Sequence, residues 1–342
     1  MKKLLVLAWG LLAAGPVFPK VKLPSVLGSN MVLQRRLNGE RDVLAQEFLP
    51  KLRCGGVEGG CFVFWADPPY DKEPAARIAQ MMQAASEELA ECADAVLVHS
   101  LAEIEAAKAA GKFYILAGAE GLSAIGDSLE RLDRFYDFGV RHAMLTWNEE
   151  NLLASGAKGD PTHGLTAFGR QVVQRMEEKC MIVDVSHLND RSFWDVMDVV
   201  TKPVIASHSN ARALAAVPRN LADDQLRAIA ESGGFVGLNA FNEFVSTDPA
   251  QQNMDGFVRQ AVYIAETIGV EHMAFGFDFS GFISEAAMRS FSSQDSPATE
   301  GLEDWTKLPS FLDKLRSAGF SADDLEKIAH GNWLRVIGEI LG

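Results

Sequence analysis

Short apolar runs alternate along the chain with stretches whose apolar residues recur every three or four positions. The runs predict strands at Cys61–Trp65, Phe113–Ala117, Ala143–Trp147, Met181–Val185, Pro203–Ser207, Phe235–Asn239 and Met273–Phe277, with a first strand near Leu23–Val32. Most are apolar throughout, as parallel strands covered on both faces should be. Between them, Leu165, Phe168, Val172, Val173 and Met176 trace one helix face, and Leu226, Ile229 and Ala230 trace another that ends before Gly233-Gly234. Eight such strands close an α/β fold of the (β/α)8, TIM-barrel type. A doubly wound sheet would instead carry a glycine-rich phosphate turn after its first strand, and neither GxGxxG nor a Walker sequence occurs.

Length and charge narrow the reading. The 342 residues, 48% of them hydrophobic, suffice for one large barrel, and no linker or short repeat interrupts them. With 32 Lys and Arg against 46 Asp and Glu, the net charge is −14, so no nucleic-acid partner is expected. Lys2 and Lys3 precede the apolar stretch Leu4–Gly15, followed by Pro16 and Pro19, which reads as a signal peptide over residues 1–19. That stretch is too short for a membrane span, and the expected location is periplasmic or extracellular. Cys54, Cys61, Cys92 and Cys180 lack CxxC spacing, and Cys54 with Cys61 is the pair that export would allow to join.

In a parallel barrel the chemistry collects where strands end. The run from Phe113 leads into Glu120-Gly121, that from Met181 into His187, that from Val204 into His208, and that from Ala274 into Asp278, with Gly276 and Gly281 beside it. Two imidazoles and two carboxylates converging on one mouth form the donor set of a divalent metal, zinc first. His99, His142, His163, His272 and His330 lack this placement and read as structural.

These residues resemble the membrane (renal) dipeptidase family of zinc peptidases, peptidase family M19. The likeness is carried by Gly164–Gly169 leading into Met181–His187, by Pro203–Arg212, by Arg219-Asn220-Leu221 with Asp223-Asp224, by Gly233–Asn239, by Phe275–Phe279 and by Gly331–Arg335, in that order. The resemblance implies that Glu120 bridges two zinc ions and that His187 and His208 complete the second site. It implies that Arg219 holds the substrate carboxylate and that Asp278 is the catalytic acid and base. The implied reaction is hydrolysis of a dipeptide by a metal-activated water, and homodimers are the expected assembly.

Two departures modify that expectation. The family ends its first strand in His-x-Asp, whereas this chain has Ser29 and Met31 there, and none of its seven histidines is followed two positions later by Asp or His. One zinc rather than two is expected, and a barrel that keeps at most one metal without hydrolysing its ligand is the alternative. Trp147, with Asn148 next to it, falls where animal dipeptidases carry a substrate-facing histidine, so both are placed among the substrate-binding positions as a difference in specificity. Residues 21–35 separately resemble the N-terminus of sialate O-acetylesterases. The chain therefore divides into the leader, an atypical segment 20–36 and a dipeptidase-like barrel 37–342. A remoter alternative is a serine esterase, from Gly126-Asp-Ser-Leu129 and the Asp184-x-x-His187 spacing. Asp127 or Ser128 reads more simply as a helix N-cap.

Overall fold

The computed structural model describes residues 21–279, 288–289 and 297–342, with side chains from residue 30 onward. The expected leader and Gly281 lie outside the described residues. Nine strands occur among the described residues: β1 (Val21–Gly28), β2 (Val57–Phe64), β3 (Ala95–Leu97), β4 (Phe113–Glu120), β5 (Val140–Met144), β6 (Ile182–Asp184), β7 (Ile205–Ala206), β8 (Phe235–Asn239) and β9 (Met273–Phe277). All pairings between them are parallel, and helices alternate with most of them, as βαβ crossovers require.

The pairings run from β1 to β2, from β2 to β4, and then in order through β5, β6, β7 and β8 to β9. Ser25 on β1 pairs with Phe277 on β9. The short β3 lies outside this series, against the first half of β4, while β5 takes the second half. The arrangement is the parallel α/β sheet of a TIM-like fold. Segment 20–36, read as atypical from sequence, contributes β1 to this sheet and then the helix Ser29–Leu37.

Strand alternation sorts the side chains into two layers. Phe113, Ile115, Ala117 and Ala119 of β4 join the main apolar cluster, together with Val183 of β6, Val236 and Leu238 of β8, and Phe275 and Phe277 of β9. The opposite face carries Tyr114 and Leu116, which pack with Cys61, Ile182, Ile205, Phe235 and Ala274. Glu120 has the parity of this second face, as do His142, Asp184, Ser207, Asn239 and Asp278 on their own strands or strand ends. An apolar filling therefore gives way, toward the C-terminal strand ends, to a polar layer.

Where that filling meets the polar layer the space is tight. A Cβ on Gly118 would lie 2.1 Å from Nε2 of His142, and one on Gly276 would lie 2.1 Å from the carbonyl oxygen of Ser207. Only glycine leaves room at these two strand positions.

The N-terminal helix is tied down by charge. Arg36, almost fully buried, donates to Glu87, Glu88 and Glu91 of the helix Pro74–Glu91 at 2.8–3.0 Å. Glu88 also accepts from the backbone amide of Leu44 at 2.7 Å. No helix is long and apolar enough to cross a membrane among the described residues.

Some sequence expectations are corrected. The first strand ends at Gly28, and the residues that continue its apolar run to Val32 are helical. Strand β5 begins at Val140 and stops at Met144, before Trp147. All four cysteines are free: Cys61 is buried on β2, whereas Cys54 ends the helix Leu49–Cys54 exposed to solvent, so the two do not pair.

Candidate metal centre

Three strand ends bring the predicted ligands together. Nε2 of His187 lies 2.9 Å from Oε1 of Glu120 and 2.8 Å from Nε2 of His208, and His208 Nε2 stands 3.9 Å from the same carboxylate oxygen. Donor atoms of all three residues fall within 4.8 Å of one another, which among the described residues holds for this one group of His, Cys, Asp and Glu. The other ring nitrogens are engaged behind the site. Nδ1 of His187 faces Oδ1 of Asn148 at 3.0 Å, and Nδ1 of His208 faces Oγ of Ser207 at 2.8 Å. An Nδ1–H donated to Asn148 leaves Nε2 of His187 with its lone pair toward the centre, the arrangement metal-bound imidazoles use.

Charge reinforces this. Burial holds His187 well below its ordinary pKa, with Arg219 adding to the effect, and burial brings His208 down to about 4. Two neutral imidazoles whose Nε2 atoms approach each other this closely need a shared proton or a cation between them. Burial pushes the Glu120 carboxyl upward, opposed by His208 and Arg219. Two nitrogens and one carboxylate oxygen match the donors of a zinc site that keeps a position open. The residues present therefore fit the metal.

Asp278 and Arg219 border this centre. Asp278 follows β9 in a left-handed backbone conformation (φ 59°), as does Phe277 before it (φ 50°), and Oδ2 accepts from Nδ2 of Asn239 at 3.2 Å. Such backbone is costly for non-glycine residues and is retained where the surroundings enforce it. Burial raises the Asp278 carboxyl, with His208 opposing and Glu120 adding to the rise. Arg219 is buried, donates to the carbonyl of His208 at 3.2 Å, and is lowered by burial to about 10, so it stays charged at neutral pH. Its Nε has no hydrogen-bond partner, a buried donor left over for an anion.

Trp147 lies beside the ligands, its ring 6.2 Å from that of His187 and 5.0 Å from Trp65. Asn148, expected at the substrate, turns its Oδ1 toward Nδ1 of His187. Trp65 was not singled out from sequence, because it ends the apolar run Cys61–Trp65 as one more apolar residue; its position just after β2 was the available signal. Ser207 and Asn239, which face His208 and Asp278, were likewise beyond sequence reasoning except as neighbours of strand ends.

The first-strand departure is also visible. Asn30 donates through Nδ2 to the carbonyl of Trp65 at 3.0 Å, which sets the end of β1 against that of β2, and Met31 is packed on the apolar core. The esterase elements are not assembled. Ser128 occupies the N-cap position of the helix Leu129–Phe138 but donates to Glu130 at 2.7 Å without capping it, and His187 is engaged with Asn148, His208 and Glu120. The histidines read as structural have other partners: His99 faces Glu103, His163 faces Glu150, and His272 faces the carbonyl of Gly234.

Comparison with known proteins agrees with the geometry. A family model described as membrane dipeptidase (peptidase family M19) matches residues 19–341. An uncharacterized protein in the pqqA 5′ region of Klebsiella pneumoniae is 34% identical over 250 residues, covering 70% of this chain and 87% of that protein. Dipeptidase tcpJ of Claviceps purpurea is 32% identical over 232 residues, 67% of this chain and 52% of its own length. The match thus spans about half of the fungal dipeptidase. A Rhodobacter sphaeroides metallo peptidase, solved with a phosphinate mimic of the dipeptide L-Ala-D-Ala, shares the fold at a TM-score of 0.82 and 24% identity, over 95% of this chain and 100% of that one. The dipeptidase AC, a metallo peptidase of family M19, superposes at 0.81 with 26% identity, over 94% and 99%. With the family model spanning nearly the whole sequence, and with Glu120, His187 and His208 gathered at one end of the sheet, the chain belongs to the membrane dipeptidase family, peptidase family M19.

Proposed function

We propose that the chain is a zinc-dependent dipeptidase that binds one zinc through Glu120, His187 and His208 and hydrolyses the peptide bond of a dipeptide. The observation that carries this reading is the convergence of those three donors, with an unsatisfied buried guanidinium and a raised carboxyl beside them. Zinc in such a site polarises a carbonyl and lowers the pKa of a water molecule.

The chain's own residues then divide the remaining work. Arg219 binds the substrate carboxylate through its charge and its free Nε–H. Asp278, held by Asn239 and raised by burial, accepts the proton of the attacking water and returns it to the leaving amine. Trp147, backed by Trp65, forms an apolar wall against the substrate side chain. The phosphinate dipeptide mimic bound by the Rhodobacter sphaeroides relative supports including L-D dipeptides among the substrates.

The remaining expectations belong to the same proposal. The series of pairings from β1 through β9 and back to β1 is read as a closed (β/α)8 barrel that takes in β1 as part of a single domain. The leader is read as an export signal, and homodimeric assembly is carried over from the family resemblance. The second reading is a dipeptidase-like barrel without hydrolysis, favoured by the absence of His-x-Asp at the end of β1 and by the packing of the half-buried Met31 against the core.

Assay of the zinc-loaded protein against a panel of L-L and L-D dipeptides separates the two. Turnover that disappears on chelation and returns with zinc is expected. Stable zinc binding with no turnover at any metal concentration favours the second reading.

A further inference from the structure

Below the ligands, on the same inner face, a carboxylate is buried that neither the metal nor the substrate needs. Asp184 ends β6 and is fully buried. Its Oδ1 accepts from the backbone amide of Ser186 at 3.0 Å and from that of Ser207 at 3.1 Å. These are the residues immediately before His187 and His208, on two different strand ends. Each serine also reaches the second imidazole-bearing residue: Ser186 Oγ accepts from the amide of His208 at 3.2 Å, and Ser207 Oγ faces Nδ1 of His208 at 2.8 Å. One oxygen of Asp184 is thus the shared point between the two loops.

The loops need such a hold. His187 adopts φ 72°, a left-handed conformation that a non-glycine residue keeps only under constraint. The other oxygen of Asp184 faces Nδ1 of His142 at 3.7 Å, and both side chains are wholly buried. His142 in turn occupies space that Gly118 leaves open on β4, the strand that carries Glu120. Asp184 therefore connects with elements behind all three ligands.

We propose that Asp184, backed by His142, is a positioning residue that sets the spacing of the two metal-facing imidazoles by holding the amides that precede them. The inference rests on the reading of His187 and His208 as ligands. A buried acid carries a desolvation cost, and here burial is outweighed by His142, which with His208 and Ser207 keeps the carboxyl below its usual range. The carboxylate is thus ready as an acceptor for both amides. Asparagine keeps that acceptor and alanine removes it.

The test is zinc affinity, measured by competition with a chromophoric chelator on the full chain, alongside far-UV circular dichroism and the visible spectrum of the cobalt-substituted protein. Asp184→Ala is expected to weaken zinc binding by about 10- to 100-fold and to shift the cobalt spectrum, as loss of a ligand's supporting partner does elsewhere, while Asp184→Asn stays within about threefold of the parent. If Asp184→Ala yields no folded protein, Asp184→Ser takes its place, since its short hydroxyl cannot reach both amides, and the same loss is expected. A folded Asp184→Ala or Asp184→Ser protein with lowered thermal stability but unchanged zinc affinity and cobalt spectrum overturns the proposal. His208→Ala serves as the reference: its loss of zinc upholds the ligand assignment independently, and retention of zinc there overturns that assignment and this inference with it.

Discussion

Nε2 of His187 and Nε2 of His208 face each other at 2.8 Å, brought from two different strand ends, with their Nδ1 atoms turned toward Asn148 and Ser207. Both are buried and held below their ordinary pKa, so the contact calls for a shared proton or a cation between the rings, and the proposal is a cation. Removing one side of it should remove the metal. His208→Ala is expected to lower bound zinc from about one to well under one per chain after desalting, by elemental analysis. Unchanged zinc content would refute the assignment.

The same pair predicts how the zinc-free protein responds to acid. An unfolded histidine takes up its proton near pH 6.5, whereas His208 in the folded chain does so only near 4. The unfolded state therefore binds more protons between these values, so stability is full above 6.5 and is lost as pH falls toward 4, by on the order of 3 kcal/mol. Urea midpoints measured with chelator across this range should fall toward acid, and His208→Gln should flatten the slope. Because the raised Glu120 and Asp278 carboxyls pull the other way, the difference between parent and variant is the readout, and a slope that His208→Gln leaves unchanged contradicts the shift.

Arg219 makes a prediction about substrate rather than metal. Its Nε is buried without a partner, while one terminal nitrogen is committed to the carbonyl of His208. Lysine keeps the charge and loses the planar fork, and a hydrogen bond to a charged group is worth roughly 1.5–3 kcal/mol. Arg219→Lys is expected to raise KM by about 10- to 100-fold with zinc content unchanged. A change confined to kcat would place the residue in the chemical step instead.

The first strand supplies another test. Ser29→His with Met31→Asp restores the His-x-Asp spacing at the end of β1, which Asn30 ties to Trp65 beside the centre. Zinc should rise from about one to about two per chain, and thermal stability should drop because Met31 leaves the apolar core. Stoichiometry that stays at one would show that this strand end does not reach the metal.

Outside the site, Arg36 is the charge that binds the N-terminal helix to three glutamates, one of them fully buried. Arg36→Ala leaves Glu88 without its cation, and breaking a buried pair in this way costs about 3–5 kcal/mol. Chemical denaturation should show a loss of that size; a loss below about 1 kcal/mol would mean the network behaves as an exposed one.

Much of this was legible in the chain. β8 and β9 fall on the apolar runs Phe235–Asn239 and Met273–Phe277, because strands buried on both faces leave no polar residue inside the run. β5 was misplaced because His142 interrupts the run from within, while buried Leu145 extends it past the last paired residue. β3 was missed since three residues, Ala95–Leu97, only half buried, carry little pattern. The three residues of the candidate metal centre were legible because each closes an apolar run with a polar residue. Asp184 and His142 were not, since Asp184 falls inside the expected run Met181–Val185 and His142 just ahead of the expected run Ala143–Trp147, and strand parity places them beneath the candidate metal centre.

One zinc held by Glu120, His187 and His208 is the proposal on which the others rest. Anomalous diffraction collected on both sides of the zinc absorption edge, from crystals grown with the metal, tests it most directly. A single strong peak within bonding distance of His187 Nε2, His208 Nε2 and a Glu120 oxygen is the predicted result. A zinc-loaded protein with no peak there, or with its zinc held by other side chains, would contradict the account.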